Sequence, residues 1–467
     1  MQTTQDNTRT ASAQADSSVL YRAAWRWHFY AGLYVVPFLV MLAITGLGMM
    51  WIAHFDGRDG EKIRIDPQTQ TQTLPASQLA SAAQMAFADG TLVEYIAPKV
   101  DSGVSVIRLA DGETQRMVAV NPFTAQIVDS WVRRDGWYDF LSDIHGTLLI
   151  GDTGDRLIEI AASFAFILIV TGLYLWWPRG KGGLQKMLIP NLAARGRMAW
   201  RSWHAVIGSY ISLLLVVFLL TGLSWAGIWG EKFVQAWSTF PAEKWDNVPL
   251  SDDTHASMNH GAMKDVPWAL EQTQMPASTP DEATSNSPPT LDSVVATAAT
   301  LGFEGRHRVN YPAGETGVWT ISQDAMSGDN SNPMNDRFVH IDQYSGRQLV
   351  DIGYADYSVG GKAMAAGIAL HEGDMGIWNL ALNTVFCLSV IFVCVSGVVM
   401  WLLRRPAKAG LLAAPPAPAN MPHWRGATVI GLFFCIAFPL VGLSLLAVLA
   451  IDYLLISRIS TLRTALS

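Results

Sequence analysis

Five long apolar stretches stand out along a chain that is otherwise rich in polar residues. Each is close to the ~20 residues that a helix needs to cross ~30 Å of hydrocarbon. Polar backbone groups find no partners in lipid, so such stretches fold as helices. The pattern therefore predicts an integral membrane, mainly α protein with a five-helix transmembrane bundle. The stretches lie at about 28–52, 157–177, 204–228, 377–402 and 427–452.

Composition supports this class. Half of the 467 residues are hydrophobic, only 15% are charged and 18 are tryptophans, which favours a membrane protein over a soluble one. The first stretch follows a polar leader at 1–21 and precedes no small-residue cleavage pattern, so we expect a retained anchor. The three cysteines lie within predicted spans, and the sequence has no C-x-x-C-H haem-attachment motif.

Two basic loops predict the orientation in the membrane. Residues 179–201 and 404–425 carry several Arg and Lys but no acid, which places them in the cytoplasm by the positive-inside rule. The N-terminus is then cytoplasmic, whereas the segments 53–156 and 229–376 and the C-terminus lie outside. Because the basic residues serve orientation and the net charge is −7, we expect no nucleic-acid partner.

The chain contains an internal duplication. An offset of 176 residues places His28 on His204 and Thr45-Gly46-Leu47 on Thr221-Gly222-Leu223 without a gap. The second stretch repeats in the fourth, where "VTGLYLWWPR" (170–179) resembles "VSGVVMWLLRRP" (395–406). We therefore expect two copies of a helix, an outside module and a second helix, followed by a fifth span.

Each outside segment has the pattern of a helix followed by short strands, at 77–132 in the first copy and from 291 onward in the second. This order predicts two small α+β modules. Residues 251–290, rich in Ser, Thr, Pro, Asp and Met, are expected to be a disordered insertion. The predicted division is a leader (1–21), the first span (22–53), the first module (54–137), an interfacial helix with the second span (138–178), a cytoplasmic loop (179–200), the third span (201–229), a linker with the insertion (230–290), the second module (291–360), an interfacial segment with the fourth span (361–403), a second cytoplasmic loop (404–425) and the fifth span with its tail (426–467).

Four histidines occupy matching places in the two copies. His28 and His204 lie at the cytoplasmic ends of spans one and three, whereas His145 and His371 precede spans two and four on the outer side. Histidine near a membrane core is costly and tends to mark a functional site, and facing histidines in helical bundles hold b-type haem. We expect two non-covalent b-type haems, one for each pair. The alternative is a set of ordinary histidines in interfacial aromatic belts.

Neighbours of these histidines are candidates for contact with the same cofactor. Arg26 and Arg201 could meet haem propionates, and Trp27 and Trp203 could pack on the porphyrin. Four glycines lie at the levels of the histidines, where a missing side chain would let a flat macrocycle approach the helix; small-residue helix packing is the alternative. They are Gly46, Gly172, Gly222 and Gly397.

Other histidines offer alternatives. His54 and His423 are competing haem ligands, although neither has a counterpart in the repeat. The stretch "THASMNHGAMKD" (254–265) places imidazoles and thioethers close together, a mixture that suits copper, and Cu(I) above all. A flexible polar loop that contains these residues by chance is the alternative. The candidate copper ligands are His255, Met258, His260 and Met263.

The stretches that carry these residues are similar to those of a known family. "WRWHFYAGLYVVPFLVMLAITGL", "DIHGTLLIGDTGDRLIEIAASFAFILIVTGLYLWWPR", "WHAVIGSYISLLLVVFLLTGL" and "LHEGDMGIWN…VSGVVMW" resemble the PepSY-associated transmembrane proteins of the bacterial inner membrane. Ferric siderophore reductases are among them. The resemblance implies PepSY-like periplasmic modules and two b-type haems ligated by His28, His204, His145 and His371. The fifth span and the insertion depart from the four-span reductases, which leaves the substrate open.

We therefore expect a haem-dependent transmembrane metalloreductase. It would take electrons from a cytoplasmic or quinol donor and reduce a periplasmic ferric chelate, such as a siderophore, or a cupric ion. The sequence has no Gly-rich dinucleotide fingerprint between a strand and a helix, so the donor is a separate molecule. The rival hypothesis is a non-redox membrane protein whose PepSY-like modules bind or inhibit a periplasmic partner.

Overall fold

The structure is a computed structural model. It describes residues 2–66, 72–178, 185–234, 242–245, 247–259, 266–280, 288–405, 412–415, 425–451, 453–454 and 458–459. The chain divides into two units, named here the helical unit (1–44, 146–232 and 384–467) and the sheet unit (45–145 and 233–383).

The helices and strands follow the order of the duplicated sequence. The helices are α1 (Gln2–Asp56), α2 (Ala76–Ala86), α3 (Trp137–Thr147), α4 (Asp152–Trp176), α5 (Gln185–Leu188), α6 (Arg197–Leu223), α7 (Leu291–Thr300), α8 (Val359–Glu372), α9 (Ile377–Arg404), α10 (Arg425–Ala437) and α11 (Pro439–Ile451). The strands are β1 (Thr91–Ile96), β2 (Ser105–Asp111), β3 (Thr114–Val120), β4 (Ile127–Val132), β5 (Leu250–Thr254), β6 (Gln274–Pro276), β7 (Arg308–Asn310), β8 (Val318–Gln323), β9 (Arg337–Asp342) and β10 (Gln348–Gly353).

Among the described residues, four helices are long and apolar enough to cross a membrane. They are the Val19–Asp56 part of α1, α4, α6 and α9. In the region of the fifth predicted span, two 13-residue helices, α10 and α11, replace one continuous helix. Pro439 begins α11, and a proline lacks the N–H that a continuous helix would need there.

The break between α10 and α11 is held by aromatic side chains of the helical unit. The Phe438 ring stacks on Phe166 at 5.1 Å and on Trp229 at 6.0 Å. The Trp229 indole N–H donates to the carbonyl of Ala437 (3.0 Å). A carbonyl at the end of α10 thus finds a side-chain donor, as helix ends in an apolar setting require.

In the sheet unit, the described strands of both modules form one eight-stranded sheet in the order β10-β9-β8-β7-β1-β2-β3-β4. The two copies meet where β1 pairs antiparallel with β7, with Tyr95 opposite Val309. Helices α2 and α7 share one core, with Leu79 and Val294 both buried in it. The expectation of two separate small modules is therefore wrong in one respect, because the copies share both a sheet and a core.

The predicted insertion is partly folded. Strands β5 and β6 pair antiparallel, and Val266 and Leu270 are buried against Phe338 and Ile352 of the sheet. Trp268 is also buried. The expectation of disorder over 251–290 is therefore wrong for the described residues 251–259 and 266–280, because these apolar side chains provide enough burial to order the segment.

The two helices that carry the outer histidines both end close to them. His145 lies in the last turn of α3, and His371 lies in the last turn of α8. The side chain of Ser358 caps the start of α8 by accepting from the Gly361 N–H, and Gly373 stops the helix with φ of 90°. Glycine adopts this left-handed conformation without strain, which explains why α8 ends there.

Candidate functional site

The inner pair consists of His28 on α1 and His204 on α6, both in the helical unit. Their ring centroids are 6.3 Å apart and their planes are nearly perpendicular, at 85°. The duplicated sequence thus places equivalent residues of the two copies face to face.

Hydroxyl groups hold each inner imidazole through Nδ1. Thr171 Oγ1 lies 3.0 Å from Nδ1 of His28, and Ser396 Oγ lies 2.9 Å from Nδ1 of His204. Both hydroxyls donate their own hydrogens to helix carbonyls, those of Ile167 and Val393. Each oxygen can therefore accept Nδ1–H, which leaves Nε2 as the unprotonated nitrogen of a neutral imidazole.

Glycines next to these hydroxyls make room for the rings. A Cβ added at Gly172 would lie 3.1 Å from Cε1 of His28, and one added at Gly397 would lie 3.7 Å from Cε1 of His204. In the structure, the neighbour of each glycine is therefore an imidazole. The sequence predicted Gly172 and Gly397 as site residues. The hydroxyl residues that precede them in the repeat, Thr171 and Ser396, were not among the predicted site residues.

The outer pair lies within the sheet unit. The rings of His145 and His371 have centroids 6.5 Å apart and planes at 74°. Thr45 Oγ1 is 2.8 Å from Nδ1 of His145, and a Cβ added at Gly46 would lie 3.5 Å from Cε1 of the same ring. Thr45-Gly46 thus contacts His145 as Thr171-Gly172 contacts His28.

The end of α8 is fixed by asparagines of α9. Asn379 and Asn383 both donate to the carbonyl of Leu370, at 2.9 and 2.7 Å, and Asn383 also donates to the carbonyl of His371 at 3.1 Å. Asn383 is fully buried. These bonds satisfy the last carbonyls of the helix and set the position of His371.

The fourth glycine of the set lies in the helical unit. Gly222 occupies the last turn of α6, which ends at Leu223. The preceding Thr221 donates its hydroxyl to Val217 O at 2.9 Å, the same bond within the helix that Thr171 makes to Ile167.

The charged and aromatic neighbours differ in how closely they are engaged. Arg26 donates to the carbonyl of Pro415 (2.5 Å) and to the hydroxyl of Tyr30 (3.0 Å). Arg201 is exposed, and Trp27 and Trp203 are 42% and 40% exposed. Such exposure is what an interfacial aromatic belt presents.

The competing histidines are not placed with the pairs by any described contact. His54 is exposed in the last turn of α1 and meets Trp51 edge-on, with centroids 5.7 Å apart. His423 lies outside the described residues.

Two of the four expected copper ligands, His255 and Met258, lie among the described residues. His255 is fully buried and Met258 packs on the apolar cluster that includes Phe338. Burial lowers the pKa of His255 to about 4, so this imidazole is neutral at physiological pH. His260 and Met263 lie outside the described residues. The disorder expected around His255 and Met258 is therefore wrong, because both belong to the folded part of the insertion.

A partly buried charged network adjoins the outer pair within the sheet unit. Glu372 follows His371, and its carboxylate lies 3.8 Å from the guanidinium of Arg58. Burial, and then the nearby Asp374 carboxylate, raise the pKa of Glu372 well above its usual range. Arg306 donates to the carbonyl of Asp59, the residue that follows Arg58, at 2.8 Å. Arg306 thereby connects this network to a cavity.

That cavity has a volume of about 590 Å³ and is mostly polar. Its size is within the range of small-molecule sites. Burial raises the pKa of Asp336 in its wall to about 8. The Arg337 guanidinium lies over the Phe303 ring at 5.2 Å and pairs with Asp351. Its wall includes Lys99, Phe303, Arg306, Asp336, Arg337 and Tyr354.

A family model described as the PepSY-associated TM region matches residues 25–404, a range that includes all four paired histidines. No curated protein matches the chain.

Proposed function

Because the chain belongs to the PepSY-associated transmembrane family, we propose that its two histidine pairs each hold one b-type haem. The protein would pass electrons across the bacterial inner membrane to a periplasmic acceptor. The N-terminus would be cytoplasmic and the C-terminus periplasmic, as the basic loops indicate.

The separation of the rings carries the proposal. In a linear nitrogen–metal–nitrogen arrangement, each nitrogen lies ~2 Å from the metal and ~1.1 Å from the centre of its own ring. The centroids of the two imidazoles are then about 6 Å apart. The observed separations are 6.3 Å and 6.5 Å. By contrast, the hydrogen-bonded rings of His255 and His340 are 5.1 Å apart. Both centroid separations therefore match the distance expected for an iron between two imidazoles.

The chain supplies the ligands and their orientation. His28 and His204 would ligate the inner haem, and His145 and His371 the outer one. Thr171 and Ser396 leave Nε2 of the inner rings available, because their oxygens accept from Nδ1. Bis-imidazole haem supplies one-electron transfer without an open coordination site. Arg26, Arg201, Trp27 and Trp203 remain candidates for contacts with the inner haem.

The acceptor would be a ferric chelate or a cupric ion in the periplasm. The cavity of about 590 Å³ supports the chelate by its size and by the Phe303 and Tyr354 side chains in its wall. Its Arg306, Arg337 and Lys99 are paired with Asp329, Asp351 and Glu61, so an anionic chelate would compete with these carboxylates. The donor would be a cytoplasmic protein or a quinol.

Haem stoichiometry tests the proposal. Protein purified from haem-replete cells should contain about two b haems per chain by pyridine haemochrome assay against amino-acid analysis. Dithionite should reduce the haems and sharpen the α-band, and a ferric chelate should reoxidise the haems. A colourless protein would contradict the proposal and favour the non-redox rival, in which the periplasmic part binds or inhibits a partner.

A further inference from the structure

A second kind of histidine pair lies in the sheet unit, away from the four proposed haem ligands. His255 begins the short 3-10 helix His255–Met258, and His340 lies in β9. Their Nε2 atoms face each other at 3.1 Å, and both residues are fully buried. The sequence separates them by 85 positions, so only the fold brings them together.

In both rings, Nδ1 has a hydrogen-bond partner in the protein. The Nδ1–H of His255 donates to the carbonyl of Thr273 (2.7 Å), which can only accept, so Nε2 of this neutral ring carries a lone pair. Nδ1 of His340 lies 3.0 Å from the hydroxyl of Thr320, which can donate or accept. Without an ion, Nε2–H of His340 donates to Nε2 of His255, and Thr320 donates to Nδ1 of His340. If an ion displaces that hydrogen and Thr320 accepts from Nδ1–H instead, both Nε2 lone pairs are available to the ion. In metal-ligating histidines, the ring nitrogen that does not bind the metal typically makes a hydrogen bond of this kind.

The residues around the histidine pair favour one type of metal ion. Among the described residues, no third His, Cys, Asp or Glu joins the pair. Apart from Thr273 and Thr320, the neighbours include Trp245, edge-on to His255 at 6.1 Å, and Phe338 of the adjacent apolar cluster. A divalent ion would be poorly compensated in such a place. A soft monovalent ion bound by imidazole and thioether needs less compensation.

Met258 is the candidate sulfur ligand, since it packs on the apolar cluster that includes Phe338, two residues before His340 in β9. It lies three residues after His255 in the same 3-10 helix, where side chains at i and i+3 lie one above the other. Two nitrogens 3.1 Å apart can share an ion at ~2 Å only in a bent arrangement, which leaves space for a third ligand.

We propose that His255 and His340, with the thioether of Met258, form a buried Cu(I) site. It does not depend on haem, because none of its residues belongs to either proposed haem pair. It goes beyond electron transfer by giving the periplasmic part a place to hold reduced copper away from solvent.

The test is a Cu(I) titration of the full-length protein in detergent under anaerobic conditions, in competition with a chromophoric Cu(I) chelator. We expect one tight Cu(I) per chain, and a loss of affinity of at least roughly tenfold in His340→Gln. The matched controls are His54→Gln and Met334→Leu, which change an exposed histidine and an exposed methionine, and they should bind as the wild type does.

Met258→Leu keeps the side-chain volume nearly constant, so it tests the sulfur without unfolding the site. X-ray absorption should show two nitrogens and one sulfur around copper in the wild type, and no sulfur in Met258→Leu. Equal affinity of the wild type and a folded His340→Gln, or an unchanged sulfur signal in Met258→Leu, would overturn the proposed ligand set. Haem content measured on the same samples shows separately whether the haem proposal fails.

Discussion

At the scale of single residues, each hydroxyl–glycine dipeptide positions a histidine in two ways. The hydroxyl accepts from Nδ1, and the glycine lets the Cε1 edge of the ring lie against the helix. Outer partners of this kind typically change metal affinity 10–100-fold when they are removed. Thr171, Ser396 and Thr45 are therefore positioning residues, and among the glycines beside them Gly172 leaves the least room for an added carbon.

Gly172→Ala should weaken the inner haem more than Gly397→Ala does. The new methyl would lie 3.1 Å from the His28 ring in the first case and 3.7 Å from the His204 ring in the second. The first distance forces the ring to shift, whereas the second is ordinary contact. Transfer of haem to a scavenger protein should be roughly tenfold faster for Gly172→Ala and almost unchanged for Gly397→Ala. Identical rates in the two variants would contradict this account.

At the scale of elements, the outer histidines depend on how their helices end. α8 ends at Gly373, and Asn383 of α9 donates to the carbonyls of Leu370 and His371 in the last turn. Leaving buried carbonyls without a donor costs about 1–3 kcal/mol each. The position of His371 is thus set by a helix end and by the neighbouring helix that satisfies it.

Asn383→Ala should lower the occupancy of the outer haem while the inner haem stays at wild-type content. Redox titration followed in the α-band would show one component reduced in amplitude. Asn335→Ala is a matched control, because Asn335 is an exposed asparagine of the same unit. Loss of both haems in Asn383→Ala would indicate general unfolding instead of a local effect on α8.

The loop between β8 and β9 should make the stability of the sheet unit depend on pH. Burial, and then its neighbour Asp324, raise the pKa of Asp336 from its usual 3.8 to about 8. The folded state therefore binds a proton that the unfolded state releases. This stabilisation is fully present below about pH 4 and is lost as the pH rises towards about 8.

Asp336→Asn should remove much of this dependence. An amide oxygen can still accept from the Ala325 N–H, which now donates to Asp336 at 2.8 Å, but the amide does not titrate. Hydrogen exchange of β8 and β9, corrected for intrinsic rates, should show less protection at pH 8 than at pH 6 in the wild type and a smaller difference in the variant. The opposite slope in the wild type would refute the assignment.

At the scale of the whole molecule, the two histidine pairs belong to different units. His28 and His204 lie in the helical unit, whereas His145 and His371 lie in the sheet unit. The pairs share no residue, so the loss of one should leave the ligands of the other in place. If each pair holds a haem as proposed, either haem can be lost without the other.

His28→Ala and His204→Ala should therefore each reduce the content from about two haems to about one and remove the same spectral component. His145→Ala and His371→Ala should each remove the other component and stop reduction of an external ferric chelate. Difference spectra and potentiometric titration of the four variants provide the measurement. If His28→Ala and His371→Ala eliminated the same haem, the proposed pairing would be wrong.

The sequence alone was sufficient for the membrane class, the duplication, four of the spans and the family, because hydropathy and repeat offsets are local properties of the chain. The four histidines stood out for the same reason, since each recurs at the same place in its copy. The fifth span was assigned from hydropathy alone, although Pro439 breaks it into α10 and α11.

Tertiary structure decided what depends on distant pairing. The joining of β1 to β7, the folding of the insertion onto Phe338 and the meeting of His255 with His340 all involve residues far apart in sequence. A strand edge or a buried ring can pair with many partners, and the sequence pattern shows only that a partner is needed. The partner that a strand edge or a buried ring takes depends on the packing of the complete sheet, because burial and hydrogen bonding must be satisfied together.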